Sequence, residues 1–332
     1  FESPQVLYDF ISSNFCCNKK CEAANVLDRL LQPMRPDDAY SLLQRESKDG
    51  DSLMHSIMRY CVPTLAYIVL RTVHYEQRHS LLVKRNRLDE TPFHSLFSGE
   101  TTQCDCNMCV SKTSNQCEMI RVCLGLVPPS YRVSTLVLFD FSGETVFHKA
   151  VHVGQVDFAL KLLEEVNCQS RAELLQMTTQ TNGETAIMYA VEDTNVLFCI
   201  MSLIPKHKQV DILSVQARDG NTVLHFAVAV GLNQTKCILQ SCENHADRVA
   251  LAHMRNNEGK SVLDVAKSYP DVDIYLRDEI RDRNVLVTVS DDITKNTHKG
   301  VPHDHGHDDS FLQAEDRWSR FSPAVDRILF GS

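Results

Sequence analysis

Ser142-Gly143-Glu144-Thr145-Val146-Phe147-His148 reads as a tight polar turn that runs straight into a helix. Gly143 supplies the positive φ such a turn needs, and Thr145, placed just before an apolar pair, is a helix N-cap. Working outward, the same phrase returns five more times. The copies are Asp49-Gly50-Asp51-Ser52-Leu53-Met54-His55, Asp89-Glu90-Thr91-Pro92-Phe93-His94, Asn182-Gly183-Glu184-Thr185-Ala186-Ile187-Met188, Asp219-Gly220-Asn221-Thr222-Val223-Leu224-His225 and Glu258-Gly259-Lys260-Ser261-Val262-Leu263-Asp264. The capping residues 52, 91, 145, 185, 222 and 261 are separated by 39, 54, 40, 37 and 39 residues, a period near 39 with one insertion at about 98–116. A period in this range marks a stack of short units, each covering its neighbour's apolar side.

Within one period Gly154 ends the first helix, and Val156 through Leu163 carry apolar residues at helical spacing for a second. A further feature precedes the turns: Leu42-Leu43, Leu81-Leu82, Leu136-Val137, Leu174-Leu175 and Ile212-Leu213. Each pair is expected to pack under an extra turn of helix or a lengthened finger. Pro92 stands at the first helical position, where a missing N–H costs nothing.

These residues resemble the ankyrin repeat, whose signature is a polar β-turn, Thr-Pro-Leu-His with a small residue, and two antiparallel helices. Gly143 through Glu165 match it best, with Thr145, Val146, Phe147, His148 and Ala150 in the signature positions. Asp219 through Cys242 follow, with Ala227 and Gly231 in place. Met188 and Asp264 depart from the signature histidine, and Pro is largely missing from the second position, so the array is divergent. The expected fold is an all-α ankyrin-repeat solenoid of about six helix-turn-helix repeats with short β-turn fingers. Residues 1–47 are expected to form a helical cap, with patterns at Val6 to Phe10 and Ala23 to Leu31, and 48–282 the array. Residues 283–332 read as a flexible, His/Asp-rich tail with a short terminal helix around Trp318, Phe321, Val325 and Leu329. The chain begins at Phe1 without Met, which suggests a fragment or processed product.

Composition limits the function. The 332 residues include only 12 Gly, which speaks against glycine-rich phosphate loops. A formal net charge of -9 makes nucleic acid an unfavourable partner. No stretch approaches the length of a membrane-spanning helix. The 13 cysteines are odd in number, and Cys61, Cys123, Cys199 and Cys237 sit in apolar helical runs, which fits a reducing, intracellular location, cytoplasmic or nuclear. Asn233-Gln234-Thr235 is formally a glycosylation triplet inside a helical pattern.

The histidines His55, His94, His148 and His225 recur at one phase of the repeat, which argues for a structural role; the resemblance implies hydrogen bonds between adjacent turns. His148 and His152 give H-x-x-x-H, but the intervening Lys149-Ala150-Val151 lacks the glutamate a zinc protease needs. In the insertion, Cys104, Cys106, Cys109 and Cys117 have a C-x-C-x2-C-x7-C spacing compact enough for a tetrahedral zinc site; the other reading is an exposed finger of unpaired thiols. Otherwise no cofactor and no small-molecule substrate is expected, and no nucleotide-loop or hydrolase motif occurs. His303, His305 and His307 lie in a polar linker.

The resemblance implies a non-catalytic scaffold that binds a protein partner, and the long, irregular repeats also resemble those of the Rel-family inhibitors, regulators of transcription factors. The alternative is the ankyrin segment of a larger enzyme or ion channel. In such an array the turn tips and the exposed side of each first helix line one face. Asp89, Glu90, Glu144, Glu184, Asp219 and Asn221 in the turns, with His152 and Phe226 on first helices, are expected to form a mainly acidic strip for a partner with a basic patch.

Overall fold

The computed structural model describes residues 20–97, 112–204 and 206–281. The chain divides into two units, Phe1–Arg281 and Asp282–Ser332, and the second lies outside the described residues, together with the expected helix at Val6 to Phe10.

The first unit is helical, and its only extended pairing among the described residues is a series of single β-bridges that close the fingers: Glu46 with Ser52, Phe139 with Thr145, Thr178 with Thr185, Gln216 with Thr222 and Arg255 with Ser261. After the amino-terminal helices α1 (Lys20–Leu31) and α2 (Pro36–Leu43), the first repeat comprises α3 (Leu53–Arg59), α4 (Pro63–Thr72) and α5 (Arg78–Val83). The second has a short 3-10 turn, His94–Leu96, then α6 (Lys112–Leu126) and α7 (Pro129–Leu136). The third holds α8 (Val146–His152), α9 (Val156–Glu164) and α10 (Cys168–Gln176). The fourth holds α11 (Ala186–Ala190), α12 (Thr194–Leu203) and α13 (Gln209–Leu213), and the fifth α14 (Val223–Val230), α15 (Leu232–Ser241) and α16 (His245–His253). The sixth ends with α17 (Val262–Ala266) and α18 (Pro270–Ile280).

The longer period is therefore explained by a third helix. The Leu81-Leu82, Leu174-Leu175 and Ile212-Leu213 pairs lie at the carboxyl ends of α5, α10 and α13, all buried. These third helices pack on one another from repeat to repeat, as do the first and the second helices. Helices α1 and α2 continue the same scheme. The first packs on α4 as a second helix would, and Tyr40 of the other reaches Ser80 of α5 at 2.7 Å. The cap is thus the second and third helix of a preceding unit.

Each finger tip needs a left-handed residue. Gly50, Gly143, Gly183, Gly220 and Gly259 have φ between 68° and 81°, and in the second finger Asp89 takes the position at φ 57°. Successive fingers hydrogen-bond through their backbones: Gln180 N–H to Gly143 O at 2.9 Å, Arg218 N–H to Asn182 O at 2.8 Å and Asn257 N–H to Asp219 O at 2.9 Å.

Candidate functional site: the finger and first-helix face

Where each finger meets its first helix, a buried histidine ties two repeats together. The Ser52 backbone N–H donates to His55 Nδ1 at 3.0 Å, which leaves Nε2 to donate to Glu90 O at 3.0 Å in the next repeat. Thr91 N–H, His94 and Glu144 O repeat the arrangement at 3.3 and 3.2 Å, as do Thr222 N–H, His225 and Lys260 O at 3.1 and 3.4 Å. His148 joins Thr145 Oγ1 at 2.7 Å to Met177 O at 3.1 Å. Burial penalises the charged ring, pushing His94 and His148 down to about 4 and lowering His55 and His225. All four are structural, as their recurrence suggests. In the fourth repeat Met188 Sδ accepts Thr185 N–H at 3.4 Å, and in the sixth Asp264 accepts Ser261 N–H at 3.0 Å, so both departures still cap their helices.

The expected acidic strip is corrected in its centre. Glu90 is 3% exposed and faces Lys149 Nζ at 3.6 Å. Glu144 is 9% exposed and accepts from the His152 ring at 3.0 Å. Lys149 also donates to Asp140 at 2.7 Å. Burial alone would raise the Asp140 carboxyl, but hydrogen bonds from Lys149, Ser142 and the Glu144 N–H hold it below its ordinary value. Reversing Glu90 to Lys would place a second ammonium beside Lys149, so it would test the fold more than a partner.

The remaining expected residues are more open. Asp89 is exposed at its tip and pairs with Arg85 at 2.7 Å, while Asp219 is exposed and accepts from Asn221 N–H at 2.9 Å. Asn221 is half-buried and accepts from Asn256 at 2.9 Å. Glu184 and Phe226 are half-buried, and the His152 side chain is largely exposed, its ring 5.0 Å from that of Tyr189. Sequence reasoning missed Leu88 and Phe141, tip residues left 59% and 69% exposed, and it missed Tyr189. The signal for the first two was present: an apolar residue at the apex of a polar turn has no core to enter.

No catalytic grouping emerges from the described residues. Ser134 lies 3.1 Å from His79 Nε2, but its hydroxyl donates to Tyr131 O at 2.9 Å, so the ring is not placed to take its proton. No group of three or more candidate metal ligands occurs among the described residues. Cys104, Cys106 and Cys109 lie outside them; Cys117, in α6, is half-buried, and burial pushes its thiol up. Thr235 of the glycosylation triplet is fully buried and bonds to Gly231 O at 2.9 Å within the helical backbone. No described helix is long and apolar enough to cross a membrane.

Residues 147–248 match the ankyrin-repeat family, with three copies. The fold resembles that in the crystal structure of the ankyrin repeat domain of Bcl-3, a member of the IkappaB family, with a TM-score of 0.56 over 81% of this chain and 96% of that one, at 14% identity. The described residues fold as an ankyrin-repeat solenoid. A chain of the complex between the Bd0816 predatory endopeptidase from Bdellovibrio bacteriovorus and the immunity protein Bd3460 also matches, at 16% identity, over 70% of this chain and 99% of that one, with a TM-score of 0.45. Comparison with curated protein sequences gives no match. This array differs from the 33-residue consensus by its third helix.

Proposed function

We propose that this ankyrin array is a non-catalytic protein-binding scaffold whose partner docks along the finger tips and first helices. The observation that carries the reading is the exposure of Phe141 and Leu88 on adjacent fingers whose own polar groups are already committed to the fold. A large apolar side chain held in water on a rigid, hydrogen-bonded turn gains by being covered. Ankyrin repeats generally mediate protein interactions, and the likeness to the Rel-family inhibitors in repeat length extends the reading to a regulator of a signalling or transcription factor. Exposed Asp89 and Asp219 favour a partner with basic residues.

The test is affinity capture with the full chain and its Leu88→Ser/Phe141→Ser double variant. Both side chains are exposed, so the fold should survive, as circular dichroism would show. A captured protein that binds wild type and is lost from the variant supports the face; equal binding to both removes it.

A further inference from the structure

Two side-chain devices tie repeats together. The first is the signature histidine, whose Nε2 donates to a backbone oxygen of the following finger: His55 to Glu90, His94 to Glu144, His148 to Met177 and His225 to Lys260. The second is an arginine near the start of the third helix, three residues before a buried pair. Arg78 and Arg132 donate to Leu126 O at 3.0 Å and Glu165 O at 3.1 Å, carbonyls at the carboxyl end of the next repeat's second helix, which the helix itself leaves open. Arg248 reaches Glu279 in α18 of the next repeat, while Arg171 turns back to Leu163 O of its own repeat at 2.7 Å.

The fourth repeat has neither device. Met188 stands at the histidine position, and a thioether has no hydrogen to donate. Among the described residues, Asn221 O, the counterpart of Glu90 O and Glu144 O, therefore receives only the Ala217 N–H of its own finger at 2.9 Å. Gln209 stands at the arginine position, three residues before Ile212-Leu213, and among the described residues no side-chain hydrogen bond joins it to α15. The packing follows the bonds. Of the first helices, α11 lies broadly against α8 and α14 against α17, but α11 and α14 touch sparingly. The second helices reverse the order: α12 packs more closely on α15 than on α9. The joint keeps the finger bond from Arg218 N–H to Asn182 O at 2.8 Å, the Arg218 guanidinium on Gln180 O, Gln234 on Thr194 at 3.0 Å and an exposed Lys206 pair with Glu243.

We infer that the array bends between its fourth and fifth repeats, with the closely packed α12 and α15 as the pivot and α11 and α14 moving apart. A joint short of buried hydrogen bonds and of packing on one side opens on that side at the least cost in free energy. The fingers and first helices lie on the opening side, so the bend changes the curvature of the face they form. The hinge is a property of the array itself and stands whether or not that face binds a partner.

The backbone N–H groups of Gln180, Arg218 and Asn257 make finger-to-finger bonds across three successive joints and so report on each. Amide exchange of the full chain is followed by NMR and corrected for the rate of an unfolded peptide of the same sequence. Arg218 is expected to exchange about tenfold faster than Gln180 or Asn257, since local opening sets the rate. Met188→His restores a ring donor opposite Asn221 O and should slow Arg218 about fivefold while leaving Gln180 unchanged. Arg218 as protected as Gln180 would overturn the hinge, as would Asn257 exchanging fastest of the three, the order that fraying from the carboxyl end produces. A folded Met188→His chain with unchanged exchange at Arg218 would overturn it too, and should the variant not fold, the wild-type order decides.

Discussion

At the apex of the fifth finger, Gly220 has φ 81°, and a Cβ built there would stand 2.5 Å from the backbone N of Asn257 in the next finger. Gly259, at φ 75° in the last finger, has nothing within 4 Å of the same position. Both glycines supply the left-handed conformation, but only Gly220 also admits a neighbouring backbone. Alanine at Gly259 should therefore cost about 1 kcal/mol for the conformation alone. Alanine at Gly220 must also displace Asn257, whose N–H bonds to Asp219 O, and should cost at least about 2 kcal/mol. Urea midpoints of the two variants make the comparison; equal shifts would show that finger stacking contributes nothing. Asp89 shows that the conformation can be held without glycine, helped by the Asn86 side chain, which accepts the N–H groups of Leu88 and Glu90 at 3.0 Å each.

The third helix shows what the sequence could and could not reveal at the scale of an element. The capping phrase repeats so regularly that the fingers, first helices and second helices were legible from it, and the structural role of the histidines followed from their common phase. The Leu pairs showed that something recurrent lay between repeats. They did not say whether it was a helical turn or a longer finger, because two adjacent apolar residues fit either. Helices such as α13, of five residues, are too short to show a period and form because their neighbours cover them. The face was read less well. Residues of the same type, Glu90 and Asp89, are neighbours in sequence, yet one is buried against Lys149 and the other is exposed. That difference depends on a cation supplied by the following repeat across the insertion, which no local pattern encodes. If the third helices are structural members of the stack, Leu175→Ala, at a fully buried position of α10, should cost roughly 2–5 kcal/mol. A loss below about 1 kcal/mol in chemical denaturation would make α10 a peripheral ornament.

Across the whole array, stability depends on groups repeated in every unit and on ends that close the stack. The buried histidines couple it to pH. His94 and His148 titrate near 4 in the folded chain against an ordinary 6.5, so the unfolded chain binds protons more readily between these values. Their contribution is fully present above about pH 6.5 and falls away as pH drops towards 4, with His55 and His225 acting in the same direction. Urea midpoints should accordingly decline between pH 6.5 and 5, above the range where most carboxylates protonate, and a flat profile there would contradict neutral buried rings. At the amino end the stack is closed by α1 and α2, whose Ala23, Leu27, Leu31, Ala39 and Leu43 are buried. Helix α1 packs on α4, and Asp28 and Arg71 join the two helices at 2.5 Å. Removing residues 1–47 would uncover the side of α4 that α1 now covers, leaving the stack open with no polar cap. Such a surface associates with other copies, so the shortened chain should aggregate or melt well below the full one. Light scattering and thermal melting decide this: a truncated chain that remains monomeric with an unchanged melting temperature would mean that the first full repeat closes the array without help.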